Sequence, residues 1–209
     1  MKIAREGWRF ILPSVVLAAL AAWQEWWGVF PLFFALVGAF AFFFRDPRRV
    51  SPGGENDILS PADGKVLGIE TFSAPSRLPT PATRITIFLS LLDVHITRSP
   101  VSGTVLLVKR QPGRFFPAYR DEAGRQNKFA TLSIKGDMTD VFLKLIVGVA
   151  ARRIKCDLKE NDRVERGQKI GLMYFGSRVE FDFPAVAEPR VVLGQKVRAG
   201  ETILAEVKK

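Results

Sequence analysis

The stretch TRITIFL at residues 83–89 decides the fold class of this chain. It is rich in β-branched residues and its apolar positions partly alternate with polar ones, which is the pattern of a half-buried β-strand. Similar short runs, bounded by Gly or Pro, recur along the chain at residues 65–69, 83–90, 104–109, 130–134, 142–156, 169–175, 178–183, 191–192 and 202–207. This series predicts a mainly β (α+β) domain of barrel-sandwich-like architecture. Residues 115–125 are the one stretch that fits either a short helix or a long loop.

A weak internal repeat supports the same architecture. Residues 161–170 and 194–203 both carry Val, then Gly three residues later, then Ile after three more. The pattern resembles the hairpin of biotinyl/lipoyl-type barrel sandwiches, in which the glycine turns the chain between two short strands. The repeat therefore predicts two matching hairpins, one around Gly167 and one around Gly200.

The N-terminal quarter has a different composition, with no charge in residues 10–23 and none in residues 26–44. At about 1.5 Å per residue the second run would reach roughly 28 Å, close to the thickness of a bilayer core. Basic residues flank both ends: Lys2, Arg5 and Arg9 before the first run, and Arg45, Arg48 and Arg49 after the second. We therefore expect residues 1–49 to form a membrane-anchoring helical hairpin in the cell (inner) membrane, with residues 50–209 on the cytoplasmic side.

Two other interpretations of the N-terminal quarter are less favoured. A cleaved signal peptide would need a small-residue cleavage site, whereas WQEWW follows the first run at residues 23–27. A buried hairpin of a soluble protein would need a polar face, and the phenylalanines at residues 40 and 42–44 leave none.

Composition excludes several classes of site. The chain has one His and one Cys, which rules out an intrachain disulfide framework and any multi-His or Cys-based metal centre within one chain. Its net charge is +10, which implies an anionic partner. No nucleic-acid recognition motif is present, so an anionic membrane or substrate is the favoured partner.

Four segments downstream of the apolar region carry the candidate chemistry. They are FRDPRR at 44–49, SPADGKV at 60–66, FLSLLDVHITRSPVSG at 88–103, and AARRI at 150–154 followed by FGSRV at 175–179. In this order they closely resemble the short-form phosphatidylserine decarboxylases of prokaryotes. The resemblance runs from about residue 40 to residue 183.

The resemblance implies a self-processing enzyme that converts phosphatidylserine to phosphatidylethanolamine with a pyruvoyl group made from Ser177. Such an enzyme uses neither a metal nor pyridoxal phosphate, because the protein-derived carbonyl is the electron sink. The chain would be cleaved between Gly176 and Ser177 after attack of Ser177 Oγ on the Gly176 carbonyl. Implied partners are phosphatidylserine in the membrane, the two processed chains held together, and a second copy in a homodimer.

Ser177 needs a base, and His95 carries the only imidazole in the chain. The family pattern assigns Asp63 as the carboxylate that orients it, while Asp93, two residues from His95, remains a local alternative. Longer family members carry two histidines, and the second falls on Arg98 here. His95 would then serve both cleavage and decarboxylation, or a water held by Asp63 would serve one of them.

Four arginines are candidates for contact with the substrate phosphate or carboxylate. They are Arg98, Arg114, Arg152 and Arg178. The competing hypothesis is a non-catalytic, membrane-anchored adaptor or carrier module, whose attachment lysine would be Lys65 or Lys196. A carrier would stay one chain, whereas the enzyme would appear as two fragments.

Overall fold

A computed structural model describes residues 2–73, 78, 81–149 and 153–207. The chain divides into two compact units, Met1–Arg48 and Arg49–Lys209.

The first unit is a helical hairpin. Strand β1 (Lys2–Ile3) leads through a 3₁₀ turn (Arg5–Gly7) into α1 (Trp8–Trp23), and α2 (Phe30–Phe43) returns to strand β2 (Arg45–Asp46). The two short strands pair antiparallel and close the hairpin, and the Phe10 ring lies 5.3 Å from the rings of both Phe40 and Phe44. The helical hairpin predicted from sequence is therefore present.

The predicted length of the second helix is wrong. Residues 27–29 form a turn, and α2 starts with Pro31 in its first turn, where a missing N–H costs no helical hydrogen bond. Its 14 residues extend only about 21 Å. The segment Arg5–Trp23, with 19 residues, is the one described helix long and apolar enough to cross a membrane by length and composition.

The second unit is mainly β, which confirms the mainly β (α+β) part of the predicted fold class. Its elements are β3 (Asp57–Leu59), β4 (Gly64–Phe72), β5 (Ala82–Leu89), β6 (Ile96–Arg98), β7 (Gly103–Gln111), α3 (Asp121–Gln126), β8 (Phe129–Gly136), β9 (Val141–Val147), β10 (Ile154–Cys156), β11 (Arg163–Val164), β12 (Lys169–Met173), β13 (Ser177–Pro184), β14 (Ala187–Pro189), β15 (Lys196–Val197) and β16 (Ile203–Val207). An eight-stranded antiparallel sheet has the order β11-β7-β8-β9-β13-β5-β4-β15. Two three-stranded sheets, β10-β12-β6 and β14-β16-β3, complete the unit.

The core lies on one face of the large sheet. Alternate residues of the central strand β13 are fully buried, namely Val179, Phe181 and Phe183. They pack with Ile85 and Ile87 of β5. The residues between them lie on the opposite face, where Arg84 makes a two-pronged ion pair with buried Asp182 at 2.7 and 2.8 Å. Strand β13 is therefore held on both faces as well as at both edges.

Some predicted runs differ from the observed strands. The run at residues 142–156 contains nearly all of β9 and the whole of β10, which are two separate strands, and residues 191–192 belong to no strand. The short strands β3, β6 and β14 were not predicted, because three residues are too few to show a period of two. The ambiguous stretch at residues 115–125 is mostly loop, with α3 beginning at Asp121.

The internal repeat corresponds to two matching turns. Gly167 (φ +80°) turns the chain between β11 and β12, and Gly200 (φ +72°) turns it between β15 and β16. The Gly167 N–H donates to Ser99 O and the Gly200 N–H donates to Ser60 O, both at 2.8 Å. The two turns touch, since a Cβ added to Gly200 would lie 3.6 Å from Gly167 Cα. The two glycine turns are confirmed, but the predicted pairing of their strands is wrong: β11 pairs with β7 and β12 with β6 and β10, while β15 pairs with β4 and β16 with β3 and β14. Each turn therefore carries the chain from the large sheet into a three-stranded sheet instead of closing a hairpin.

The structure extends this repeat to SPADGKV at 60–66 and SPVSGTV at 99–105. In each segment the serine hydroxyl donates to the carbonyl two residues later, at 2.7 Å. The equivalent of Asp63 is Ser102, and the side chain of each accepts a backbone N–H from one of the two glycine turns. From the Gly200 turn, the Ala199 N–H donates to Asp63 Oδ1 at 2.8 Å. From the Gly167 turn, the Arg166 N–H donates to Ser102 Oγ at 3.0 Å. The unit thus contains two equivalent halves, of which only one carries a carboxylate at this position.

Candidate active site

Four strand ends meet at one end of the large sheet and bring the predicted site residues together. Ser177, the first residue of β13, pairs with Leu89 at the end of β5 and with Val147 at the end of β9. On the other side of β5, Lys65 of β4 pairs with Phe88, which places Asp63 beside the end of β5. The loop after β5 leads to His95, so residues far apart in sequence share this end of the sheet.

Ser177 is fully buried, and its Oγ has no hydrogen-bond partner among the residues that the structure describes. Leaving a buried hydroxyl unpaired costs about 1–3 kcal/mol. Such a hydroxyl contributes nothing to the stability of the fold, which points to a chemical role for it.

The backbone before Ser177 is strained. Phe175 has φ +43° and Gly176 has φ +68°, so two consecutive residues occupy the left-handed region. Glycine adopts this conformation freely, but for a residue with a side chain it costs about 1–2 kcal/mol. The strain lies next to the predicted scissile bond between Gly176 and Ser177.

His95 is buried against the same peptide. Its Nδ1 donates to the backbone carbonyl of Asp93 at 3.0 Å, and its Nε2 accepts the N–H of Gly176 at 3.1 Å. A carbonyl can only accept and an amide N–H can only donate, so the ring is neutral with its proton on Nδ1. The lone pair of Nε2 is therefore directed at the residue before Ser177.

Asp63 is held by two other partners. Arg49 Nη2 donates to its Oδ2 at 2.7 Å, and the Ala199 N–H donates to its Oδ1 at 2.8 Å. Burial raises the pKa of the Asp63 carboxyl, and the Ala199 N–H and Arg49 offset this only in part. The second guanidinium nitrogen of Arg49 bonds Glu201 at 2.7 Å, so Arg49 connects Asp63 to the turn at Gly200.

Asp93 is engaged in its own turn. Its Oδ2 accepts from the Ser90 N–H at 2.8 Å and from the Ser90 hydroxyl at 2.6 Å, and the Asp93 N–H donates back to Ser90 O at 3.0 Å. The part of Asp93 that orients His95 is its backbone carbonyl. The charge of Asp93 also raises the pKa of Asp63, as the smallest of the causes.

The arginines predicted as substrate contacts lie in different surroundings. Arg98 is buried and donates to Gly167 O at 2.8 Å, so it holds one of the two glycine turns. Arg178 pairs with Glu180 at 3.3 Å, and its buried Nε has no hydrogen-bond partner within the described part of the chain. Arg114 is exposed over the Phe116 ring, and Arg152 lies outside the described residues.

Sequence reasoning did not identify three further residues of the site. Arg49 lies in the segment FRDPRR, but nothing local marks Asp63 as its partner. Gly148 lies so close to Gly176 that an added Cβ would overlap the Gly176 carbonyl oxygen. Asn127 is buried and bonds both the N–H and the carbonyl of Phe116 and the Val147 carbonyl, each at 2.7 Å, which ties the loop before α3 to the end of β9.

The described residues contain no group of three or more His, Cys, Asp or Glu side chains that could hold a metal ion. The two lysines of the carrier hypothesis, Lys65 and Lys196, pair with each other in adjacent strands and do not lie at a hairpin tip. This position differs from the exposed turn that a carrier lysine requires.

A comparison with known families decides the relationship. The family model for phosphatidylserine decarboxylase matches residues 36–205. The chain belongs to the phosphatidylserine decarboxylase family. This match covers both repeat halves and every described residue of the candidate site.

Curated relatives of similar length agree with this family. The chain is 40% identical to the phosphatidylserine decarboxylase proenzyme of Novosphingobium aromaticivorans, over 97% of this chain and 85% of the relative. It is 40% identical to that of Paramagnetospirillum magneticum, over 98% and 87%, and 39% identical to that of Syntrophus aciditrophicus, over 97% and 96%. All three relatives are named as proenzymes.

Proposed function

We propose that this chain converts phosphatidylserine to phosphatidylethanolamine, using a pyruvoyl group that it makes from its own Ser177. One observation carries the proposal: the buried Ser177 hydroxyl has no hydrogen-bond partner among the described residues, and it follows the strained residue Phe175 and a glycine whose N–H contacts the only imidazole of the chain. Family membership and the proenzyme relatives support the same function.

Self-cleavage begins with attack of Ser177 Oγ on the carbonyl carbon of Gly176. His95 Nε2 takes the hydroxyl proton once its hydrogen bond with the Gly176 N–H opens. The C–N bond then breaks, the proton passes to the nitrogen of Ser177, and an ester joins Gly176 to the serine oxygen. Relief of the left-handed backbone at Phe175 favours this rearrangement.

Elimination completes the cleavage. A base removes the Cα proton of residue 177, the Cβ–Oγ bond breaks, and residues 1–176 leave with a new carboxylate at Gly176. The remaining enamine tautomerises to an imine, and water hydrolyses it to ammonia and a ketone. The ketone supplies an electron sink for loss of CO₂ from the bound amino acid.

Asp63 acts in this proposal as the carboxylate that supports His95 or holds a water. Arg49 and the Ala199 N–H favour its ionised form against burial. The neutral tautomer of His95, set by the Asp93 carbonyl, leaves Nε2 unprotonated, so it can act as the base once the Gly176 N–H is released. Arg178 and Arg114 remain candidates for the substrate phosphate.

The decisive experiment compares Ser177→Ala with Ser133→Ala, a serine on β8 away from the site. The wild type and Ser133→Ala should each give fragments 1–176 and 177–209, the smaller one blocked to Edman degradation because a ketone has no amine. Ser177→Ala should stay intact and inactive by intact-mass analysis. Decarboxylation by uncleaved Ser177→Ala protein would refute the mechanism.

The apolar hairpin is proposed to anchor the enzyme in the inner membrane, with the β unit on the cytoplasmic side. The 19-residue segment Arg5–Trp23 supports this anchor. In the full chain, Val16→Asp with Leu32→Asp, both exposed apolar positions, should release the protein from membranes at pH 11. The control variant, Val186→Asp with Met138→Asp, carries the same two added charges and should stay bound to membranes. If the hairpin variant also stays bound at pH 11, the anchor proposal is contradicted.

The topology supports association of the two processed chains. Residues 177–209 supply β13 to β16, and β13 is hydrogen-bonded between β5 and β9. The two fragments should therefore copurify, and sedimentation equilibrium should show whether the processed pair forms the proposed homodimer.

A further inference from the structure

Three loops at the Ser177 end of the large sheet expose apolar side chains. Leu91 and Leu92, in the loop after β5, are 55% and 71% exposed. Tyr119, in the loop before α3, and Val149, just after β9, are exposed as well. We call these four residues the apolar rim.

The loops that carry the apolar rim lie on both sides of Ser177. Strand β13, which begins with Ser177, separates β5 from β9, and neighbouring strands lie about 4.8 Å apart. The loops that follow β5 and β9 are therefore roughly 10 Å apart, on either side of Ser177. Tyr119 packs edge-on against Phe88, one residue before the end of β5, with 6.1 Å between ring centroids.

Hydrogen bonds hold the rim in position. The Ser90–Asp93 turn is closed by three hydrogen bonds, two to the Asp93 carboxylate and one to Ser90 O, so Leu91 and Leu92 occupy its corner. Asn127 ties the Tyr119 loop to the end of β9 through Phe116 and Val147. Two adjacent leucines on a rigid corner are placed to be covered by something apolar.

We propose that the apolar rim inserts into the surface of an anionic phospholipid bilayer and so brings the Ser177 end of the sheet to the lipid headgroups. This inference rests on the proposed function, since a lipid substrate must be reached at a membrane surface. Exposed Arg114, Arg120 and Arg153 lie at the same end of the sheet, against exposed Asp121 and Glu122, and the chain carries a net charge of +10. Tyrosine is favoured where a bilayer meets water, and basic side chains beside it attract anionic headgroups.

The first test measures insertion without depending on catalysis. Cys156, the one cysteine of the chain, is buried, and Cys156→Ala removes it so that the nitroxide reacts only at the chosen position. In this background the nitroxide is attached at Leu92→Cys or, as the control, at Val186→Cys. Val186 follows β13 at the end opposite Ser177 and is 75% exposed. The full chain is reconstituted in vesicles of phosphatidylcholine and phosphatidylglycerol, neither of which is the proposed substrate.

We expect the label at position 92 to collide more with oxygen and less with a water-soluble nickel chelate than the label at position 186. Equal access of the chelate to both labels would overturn the proposal. Dipolar broadening between labels at position 92 would also overturn it, because a second copy of the chain would then cover the rim.

The second test uses activity. Leu91→Ser with Leu92→Ser should lower kcat/KM on vesicle phosphatidylserine by about tenfold or more, and leave kcat/KM on a soluble short-chain phosphatidylserine unchanged. Met138→Ser with Val186→Ser should change neither. Appearance of fragment 1–176 reports that each variant is folded. An equal loss of kcat/KM on both substrates would place the leucines in the site itself and contradict insertion of the rim into the bilayer. An inactive wild type would refute the proposed function but would leave the nitroxide test valid.

Discussion

Arg49 Nη2 lies 2.7 Å from Asp63 Oδ2, and the side chains of both residues are almost completely buried. The bond joins the first residue of the β unit to the candidate catalytic carboxylate. The other nitrogen of the same guanidinium bonds Glu201. After cleavage at Gly176, this cluster would contain residues of both fragments.

The Arg49–Asp63 pair predicts a pH effect. Arg49 lowers the pKa of Asp63 against the larger, opposing effect of burial, so Arg49→Met should raise that pKa further. If ionised Asp63 is the active form, the acidic limb of the processing rate should move to higher pH. Arg163→Met, which breaks an exposed pair with Asp137, should leave the profile in place. An unchanged profile for Arg49→Met would show that Asp63 ionisation does not limit cleavage.

The two equivalent halves of the β unit provide a matched substitution for Asp63. Ser102 accepts its turn N–H with a hydroxyl, so Asp63→Ser can still accept the Ala199 N–H while removing the carboxylate. We expect the rate of self-cleavage to fall about 10²–10⁴-fold. Chemical denaturation should show whether the variant keeps its fold. If Asp63→Ser cleaves itself at the wild-type rate while Asp93→Asn does not, the carboxylate that supports self-cleavage is Asp93.

The close approach of Gly148 to the Gly176 carbonyl predicts a block in processing. A Cβ at position 148 would overlap that oxygen, so Gly148→Ala should shift the carbonyl away from Ser177 Oγ. Less fragment 1–176 should form, and less ester should be trapped by hydroxylamine at residue 176. Gly68→Ala is the control, because no atom lies closer than 3.9 Å to a Cβ there. Normal processing of Gly148→Ala would mean that the carbonyl position is set elsewhere.

His95 should be needed for its Nε2 lone pair rather than for its size. His95→Gln keeps a side chain that can contact Asp93 O and the Gly176 N–H but has no imidazole base, so cleavage should slow about 10²–10⁴-fold. The cleavage rate is measured by gel densitometry of the two fragments over time. A rate near that of the wild type would assign the base to another group.

Because β13 is the central strand of the large sheet, the fragments should separate only on unfolding. Gel filtration of processed enzyme should give one peak containing both fragments, and strong denaturant should be required to divide them. Separation under native conditions would contradict the observed pairing of β13 with both β5 and β9.

The sequence by itself determined the fold class, the helical hairpin and the two glycine turns. These features depend on local signals: β-branched alternation in residues 83–89, charge-free runs in residues 10–44, and a glycine placed three residues after a valine. It also identified Ser177, His95 and Asp63 as candidates, through the order of short motifs.

The tertiary structure decided which groups meet. Arg49 and Ala199 contact Asp63 from 14 and 136 residues away, and His95 contacts Gly176 across 81. Such contacts depend on strand order and register, which pair β13 with β5 and β9. No local periodicity encodes them, because hydrogen bonds between strands depend on positions in space and not on separation along the chain.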